Sequence, residues 1–278
     1  MALKLLLITN DPPLAAFAVR HGVDRVFVDL EVLGKRERQG HRDTLISSHS
    51  LDDVAHVRAA LAGGELLVRL NPAHAGSDAE VDGAIAAGAQ WLMLPMFKTR
   101  AEVQRVAERI AGRCRFVPLV ETPPALALAP ELARVPGVDE LYLGLNDLHL
   151  SLGRDFMFEL LTDGTVERFA DACRDAGIPF GFGGVARVDE GLVSGRLILS
   201  EHVRLGSSAV ILSRTFHRSA QNMEDARANV DFEKEIARLR DAEAVLARRG
   251  PADIAADRRA LEAAVATVRD RIRAGTPR

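Results

Sequence analysis

With 278 residues, 47% of them hydrophobic, the chain is long enough for one barrel-sized core or two smaller ones. Its 36 basic and 39 acidic residues leave a net charge of −3, which offers no general attraction for nucleic acid or anionic lipid, so neither is expected as a partner. Cys114 and Cys173 lack any CxxC or Cys/His spacing and read as buried thiols, and the apolar run near the N-terminus is too brief for a signal segment or a membrane span, so a cytoplasmic location is expected.

Up to about residue 215, short runs rich in Val, Ile and Leu alternate with segments of helical period, the pattern of βα units around a parallel sheet. Strands are predicted at Leu3–Ile8, Arg25–Leu30, Glu65–Leu70, Gln90–Leu94, Arg115–Val120, Glu140–Leu143, Phe180–Phe182 and Ala209–Leu212, each a continuous apolar run, as expected when both sheet faces are covered. Helices start at Asp11-Pro12, at Ser50-Leu51-Asp52-Asp53, at Thr99 and at Thr162, all favourable N-terminal signals. Glycines such as Gly22, Gly88 and Gly177 close helical segments ahead of the next strand. The fold class expected is α/β, with residues 1–218 forming a (β/α)8 TIM barrel.

Residues 219–278 read as a C-terminal helical extension, with charged, Ala-rich helices at Ser219–Arg249 and Ala252–Arg273 divided by Gly250-Pro251. Apolar positions recur at helical spacing, Ile236, Leu239, Val245 and Leu246 in the first and Leu261, Val265 and Val268 in the second. Such a stripe must be covered, by the barrel or by a neighbouring subunit, the subunit being favoured.

Chemistry in a parallel barrel sits at the C-terminal strand ends. Strand two ends in Asp29-Leu30-Glu31, strand three in Arg69-Leu70-Asn71-Pro72, strand five in Glu121-Thr122-Pro123 and strand six in Gly144-Leu145-Asn146-Asp147. Glu121 and Asp147, carboxylates from neighbouring strand ends, suit a hard divalent cation, Mg²⁺ or Mn²⁺; the plainer alternative is that each caps the following helix. Arg69 is placed to fork onto a substrate carboxylate, or to pair with Asp29, Glu31 or Glu121. The long polar segment Glu31–Ser50 is a candidate lid, and its His41 or His49 a candidate acid/base group, the alternative being a solvated loop histidine. The glycines of Gly181-Phe182-Gly183-Gly184 leave room for a small ligand to approach the backbone. There is no dinucleotide fingerprint, P-loop, GxSxG elbow or HExxH, and no thiolate or imidazole cluster for structural zinc.

In order along the chain, Val28-Asp29-Leu30-Glu31, Val68-Arg69-Leu70-Asn71, Leu94-Pro95-Met96, Leu119-Val120-Glu121-Thr122, Gly144-Leu145-Asn146-Asp147-Leu148 and Ser151-Leu152-Gly153 resemble the HpcH/HpaI aldolase/citrate lyase family. Each fragment is short, but the ordered set spans nearly the whole barrel. The resemblance implies a metal-dependent carbon–carbon lyase acting on a 2-oxo acid through a pyruvate enolate. Glu121 and Asp147 would be the metal ligands, Arg69 would meet the oxo-acid carboxylate and enolate, and Gly144, Leu145 and Asn146 would line the substrate floor. It also implies a homo-oligomer, a trimer or hexamer exchanging C-terminal helices. Aldolases of this family usually carry a histidine two or three residues after the strand-two acid; here Val32-Leu33-Gly34 follows Glu31, and histidine first returns at His41. Asp29, Glu31 and His41 are therefore grouped with Arg69 as catalytic candidates. Alternatives are a condensing enzyme or acyl-CoA thioester lyase on the same site, and a non-catalytic barrel with an assembly role.

Overall fold

The computed structural model describes residues 2–34, 49–218 and 220–275. Its parallel strands close in sequence order into a barrel: β1 Lys4–Ile8, β2 Arg25–Asp29, β3 Glu65–Arg69, β4 Trp91–Leu94, β5 Arg115–Val120, β6 Leu141–Leu143, β7 Phe180–Val185 and β8 Ala209–Leu212, with β8 pairing back onto β1. The expected strands thus all form, with ends shifted by at most a residue except at β7. That strand runs on through Gly183 and Gly184 to Val185, where the glycines had masked the apolar signal.

Alternation along each strand divides the core in two. Leu6, Phe27, Leu67, Met93, Val117, Leu119 and Tyr142 fill the barrel interior, while Val26, Val28, Leu66, Val68, Leu92 and Val120 pack outward under the helices. The same parity fixes where the polar ends point. Arg25 precedes Phe27 by two residues and faces the barrel floor; Asp29, Arg69 and Glu121 follow Phe27, Leu67 and Leu119 by two and face the mouth. The floor is sealed by Arg25, which donates to Glu65 Oε2 at 3.2 Å, pairs with Glu140 at 3.4 Å and lies 3.8 Å over the Trp91 ring.

Between β7 and β8 the register slips across Gly181 and Gly184. Tyr142 occupies the gap: its hydroxyl donates to Gly183 O at 2.8 Å and accepts from Ile211 N at 2.9 Å, satisfying two backbone groups that the irregular ladder leaves over. Gly181 is needed there, because a Cβ would lie 2.4 Å from the Tyr142 ring. Part of the glycine run therefore serves packing rather than ligand approach.

The helices are α1 Pro12–Arg20, α2 Leu51–Ala60, α3 Ser77–Ala86, α4 Arg100–Ile110, α5 Pro123–Ala127, α6 Ala129–Leu132, α7 Leu145–Ser151, α8 Glu159–Thr162, α9 Thr165–Ala176, α10 Gly195–Leu205, α11 Met223–Asn229, α12 Phe232–Leu246 and α13 Pro251–Arg273. Reciprocal caps, Ser50 with Asp53 and Thr99 with Glu102, start α2 and α4, and Asp11 caps α1. Thr162 does not start a helix. Its hydroxyl bonds back to Glu159 O and closes α8, and α9 begins after Gly164. The single helix expected over Ser219–Arg249 is broken at Val230, whose extended backbone ends α11, while Asp231 caps α12 through Lys234 N.

Ile236, Leu239, Leu246, Leu261, Val265 and Val268 are buried within this chain, and α12 and α13 lie against α10. Polar ties reinforce that packing: Arg258 to Glu201 at 2.9 Å, Arg249 to Ser200 O at 3.0 Å and Arg196 to Asp257 at 2.8 Å. Val245 remains exposed. Among the described residues no helix is long and apolar enough to cross a membrane.

Candidate functional site

Adjacent registers bring the strand ends together. Asp29 and Arg69 are direct partners across β2 and β3, and the guanidinium forks onto the carboxylate, Nε to Oδ1 at 2.8 Å and Nη2 to Oδ2 at 2.7 Å. Glu31 Oε2 lies 3.4 Å from Nη2. Among the described residues Nη1 has no hydrogen-bond acceptor, and Arg69 lines the cavity at the barrel mouth. Both acids are about 2% exposed, and their charges hold Arg69 firmly protonated against the cost of burial.

Glu121 does not cap the next helix. Thr122 does so through Ala125 N, and Glu121 instead turns inward, its Oε1 accepting from Met96 N at 3.0 Å. Met96 presents that N–H from a left-handed backbone, φ 55°, in the Leu94-Pro95-Met96 turn after β4, a conformation costing about 1 kcal/mol or more that the carboxylate contact helps to hold. On its other side Oε2 faces Gly144, where a Cβ would approach to 2.9 Å; glycine at 144 keeps that side of the carboxylate open. Asp147 stands in the first turn of α7, which Gly144 begins without a side-chain cap.

Burial, followed by the Asp147 charge, pushes the Glu121 carboxyl up to about 8, with Arg69 only partly offsetting them and Glu31 adding to the rise. The Asp147 carboxylate stands close enough to oppose the ionisation of Glu121, and such a pair fits a divalent cation held by Glu121 and Asp147. Among the described residues no group of three His, Cys, Asp or Glu side chains gathers as a closed metal site. A two-carboxylate site that leaves its other positions to water and substrate oxygens is what Mg²⁺ favours.

Asp29, Arg69, Glu121 and Asp147 line a cavity of about 570 Å³ at the barrel mouth, together with Asn146, Leu145 and Gly144. His41 lies outside the described residues. His49 lines the cavity, and Asp29 N donates to its Nδ1 at 3.0 Å, which places the proton of the neutral ring on Nε2. His202 is withdrawn from any chemistry: it stacks on Phe182 at 3.8 Å, and burial depresses its pKa to about 3. Asn71 Oδ1 accepts from Val32 N and Leu33 N, while its own amides donate to Glu80, so it clamps the chain leaving β2.

Phe156, Phe158, Leu192, Ser213, Arg214 and His217 also line the cavity, and none of them stands out as a site residue in the sequence. The strand-end rule that picked out Arg69 and Glu121 applies equally after β8 and would have found Ser213 and Arg214.

Residues 4–192 match the model of the family described as HpcH/HpaI aldolase/citrate lyase. No curated protein matches the sequence. Among solved structures the chain is similar to an HpcH/HpaI aldolase/citrate lyase family protein from Burkholderia cenocepacia J2315, at 16% identity and TM-score 0.63 over 86% of this chain and 95% of that one. It is also similar to a citrate lyase beta subunit from M. tuberculosis complexed with oxaloacetate and magnesium, at 19% identity and TM-score 0.60 over 87% and 97%. At these identities the likeness of structure speaks to the barrel fold.

Proposed function

The chain belongs to the HpcH/HpaI aldolase/citrate lyase family, and from that premise we propose that it is a divalent-metal-dependent carbon–carbon lyase that cleaves a 4-hydroxy-2-oxo acid by way of a pyruvate enolate. The observation that carries this reading is the pairing of an arginine with two opposed carboxylates, Glu121 and Asp147, on the wall of one cavity. The bound magnesium of the M. tuberculosis relative supports a metal of the same kind here.

Glu121 and Asp147 would hold Mg²⁺ or Mn²⁺, which when bound offsets negative charge on the oxo and carboxylate oxygens of the substrate. Arg69 turns Nη1 to those same oxygens and stabilises the charge that develops on them, its orientation fixed by the fork to Asp29. Gly144 leaves room for the pyruvyl unit beside Glu121, and Leu145 and Asn146 form its floor. At the far carbon the hydroxyl proton passes to water. As the C3–C4 bond breaks, its electron pair moves onto the pyruvyl unit as the enolate, and C4 departs as the carbonyl fragment with its oxygen now doubly bonded, His49 lining the cavity where that fragment forms. C3 then takes a proton from water, giving pyruvate. The condensation direction uses the same contacts in reverse order. Oligomerisation as a trimer or hexamer belongs to this proposal, with light-scattering mass as its check.

Oxalate resembles the pyruvate enolate, so calorimetric titration tests the site directly. Oxalate is expected to bind in the presence of Mg²⁺ or Mn²⁺, to lose that binding with EDTA, and to lose it in Arg69→Ala. Binding that is indifferent to both metal and Arg69 would sink the assignment.

A further inference from the structure

A three-carbon pyruvyl unit fills only part of the 570 Å³ cavity, and the part of its wall that follows the strand-end acids in the sequence is built differently. Its body is apolar: Phe156 and Phe158, edge to face with centroids 5.3 Å apart, and Leu192, about half exposed at the rim. The five residues after β8 bring Ser213, Arg214 and His217 to the same cavity wall. Ser213 Oγ and His217 Nδ1 are buried atoms with no hydrogen-bond partner among the described residues, although His217 is only 7% exposed. Buried polar atoms are rarely left in that state, and a cavity-lining pair of them calls for a ligand group. Arg214 is exposed and makes no ion pair among the described residues, whereas Arg187 and Arg218 both pair with Glu190. Burial disfavours the protonated His217 imidazole, a backbone hydrogen bond to Ala220 opposing that shift and the nearby Arg214 charge adding to it; it is Nδ1 that is left for a ligand.

We propose that this wall forms a subsite for the carbonyl fragment of the reaction, and that the fragment is an aldehyde or ketone with an aromatic or branched apolar body and an anionic group, carboxylate or phosphate, at its far end. The apolar body lies on Phe156, Phe158 and Leu192. The anionic group meets the Arg214 guanidinium, with Ser213 Oγ and His217 completing its hydrogen bonds. The identification of this fragment as the reaction partner rests on the lyase reading, while the subsite's own selectivity is a binding property that does not depend on turnover.

The test uses unreactive alcohols in place of the carbonyl compound, titrated into the full-length protein: 4-(hydroxymethyl)benzoate, 4-(hydroxymethyl)phenyl phosphate and neutral benzyl alcohol. At least one anionic probe is expected to bind about tenfold or more tightly than benzyl alcohol, the difference between the two anions naming the group read. In Arg214→Ala the anionic preference should collapse, and in Leu192→Ser, a change at the exposed rim, every probe should weaken. Benzyl alcohol binding as well as both anions, or an anionic preference that survives Arg214→Ala, would overturn the proposal. Deuterium exchange at C3 of pyruvate, followed by NMR with Mg²⁺ and wild-type protein, reads enolate formation separately. Exchange with no anionic preference would remove the subsite and leave the lyase reading standing; anionic preference without exchange would support the subsite and remove the lyase reading.

Discussion

The barrel carries an ionic cluster at each end, each joining an arginine of β2 or β3 to buried carboxylates, yet the two behave as opposites. At the floor Arg25 and Lys4 face Glu65 and Glu140, charge against charge, and the Trp91 ring closes over the guanidinium. At the mouth Arg69 is forked by Asp29 and approached by Glu31, Glu121 is opposed by Asp147, and the space beside them is a cavity rather than an indole. A balanced, covered cluster is a seal. A cluster that sets one buried carboxyl against another at a cavity wall holds a strain that a cation can relieve, and that asymmetry separates chemistry from architecture where residue type does not.

The comparison breaks most sharply by removing the acids thought to hold metal. Asp147→Asn and Glu121→Gln are each expected to lower Mg²⁺-supported turnover by about a thousandfold, several kcal/mol of transition-state stabilisation, in a steady-state assay. Arg25→Ala at the floor should do the converse. It leaves Glu140 buried without its partner and should cost about 3 kcal/mol in urea unfolding, while turnover per folded molecule stays near wild type. Equal effects of both kinds of variant on turnover would erase the distinction between the two ends.

A finer contrast lies in pH. With the folded pKa of Glu121 raised from 4.5 to about 8, the neutral carboxyl is the favoured form, so its contribution to stability is full below pH 4.5 and is lost as pH rises through about 8. In metal-free protein, Glu121→Gln should therefore gain thermal stability over wild type progressively between pH 5 and 8 and no further above it. Mg²⁺ should reverse the wild-type trend by holding the ionised form. A gap that is flat across that window would show that Glu121 is not the strained acid. The smallest effect is expected at Asn71, whose amide clamps Val32 and Leu33 without touching the cavity: Asn71→Ala should lower kcat/KM about tenfold with little change in melting temperature.

Much of this was legible before any coordinates. Parallel strands covered on both faces leave unbroken Val, Ile and Leu runs, and so the barrel reads directly; Arg69, Glu121 and Asp147 stand out because polar residues at the ends of such runs have nowhere to point but the mouth. What stayed hidden follows from weaker signals. The continuation of β7 is written in glycine, which carries no periodicity, and the break at Val230 lies in a charged stretch that suits one helix or two. That His49 reaches the Asp29 backbone depends on the path of a long loop, which local pattern does not specify. The cavity wall beyond Asp147 is assembled from elements more than fifty residues apart, Phe156 and Arg214 among them, and no local spacing announces it.

Tyr142, which closes the slipped seam between β7 and β8, is the chain's one tyrosine. Burial pushes its phenol well above the ordinary value, the hydrogen bond from Ile211 offsetting only part of that rise. The residue is therefore a built-in optical gauge. Phenolate absorbance appearing near the normal tyrosine pKa would report a barrel already opened along that seam, and its delay to more alkaline solution would report one still shut, with no label attached and no other phenol in the chain to obscure the reading.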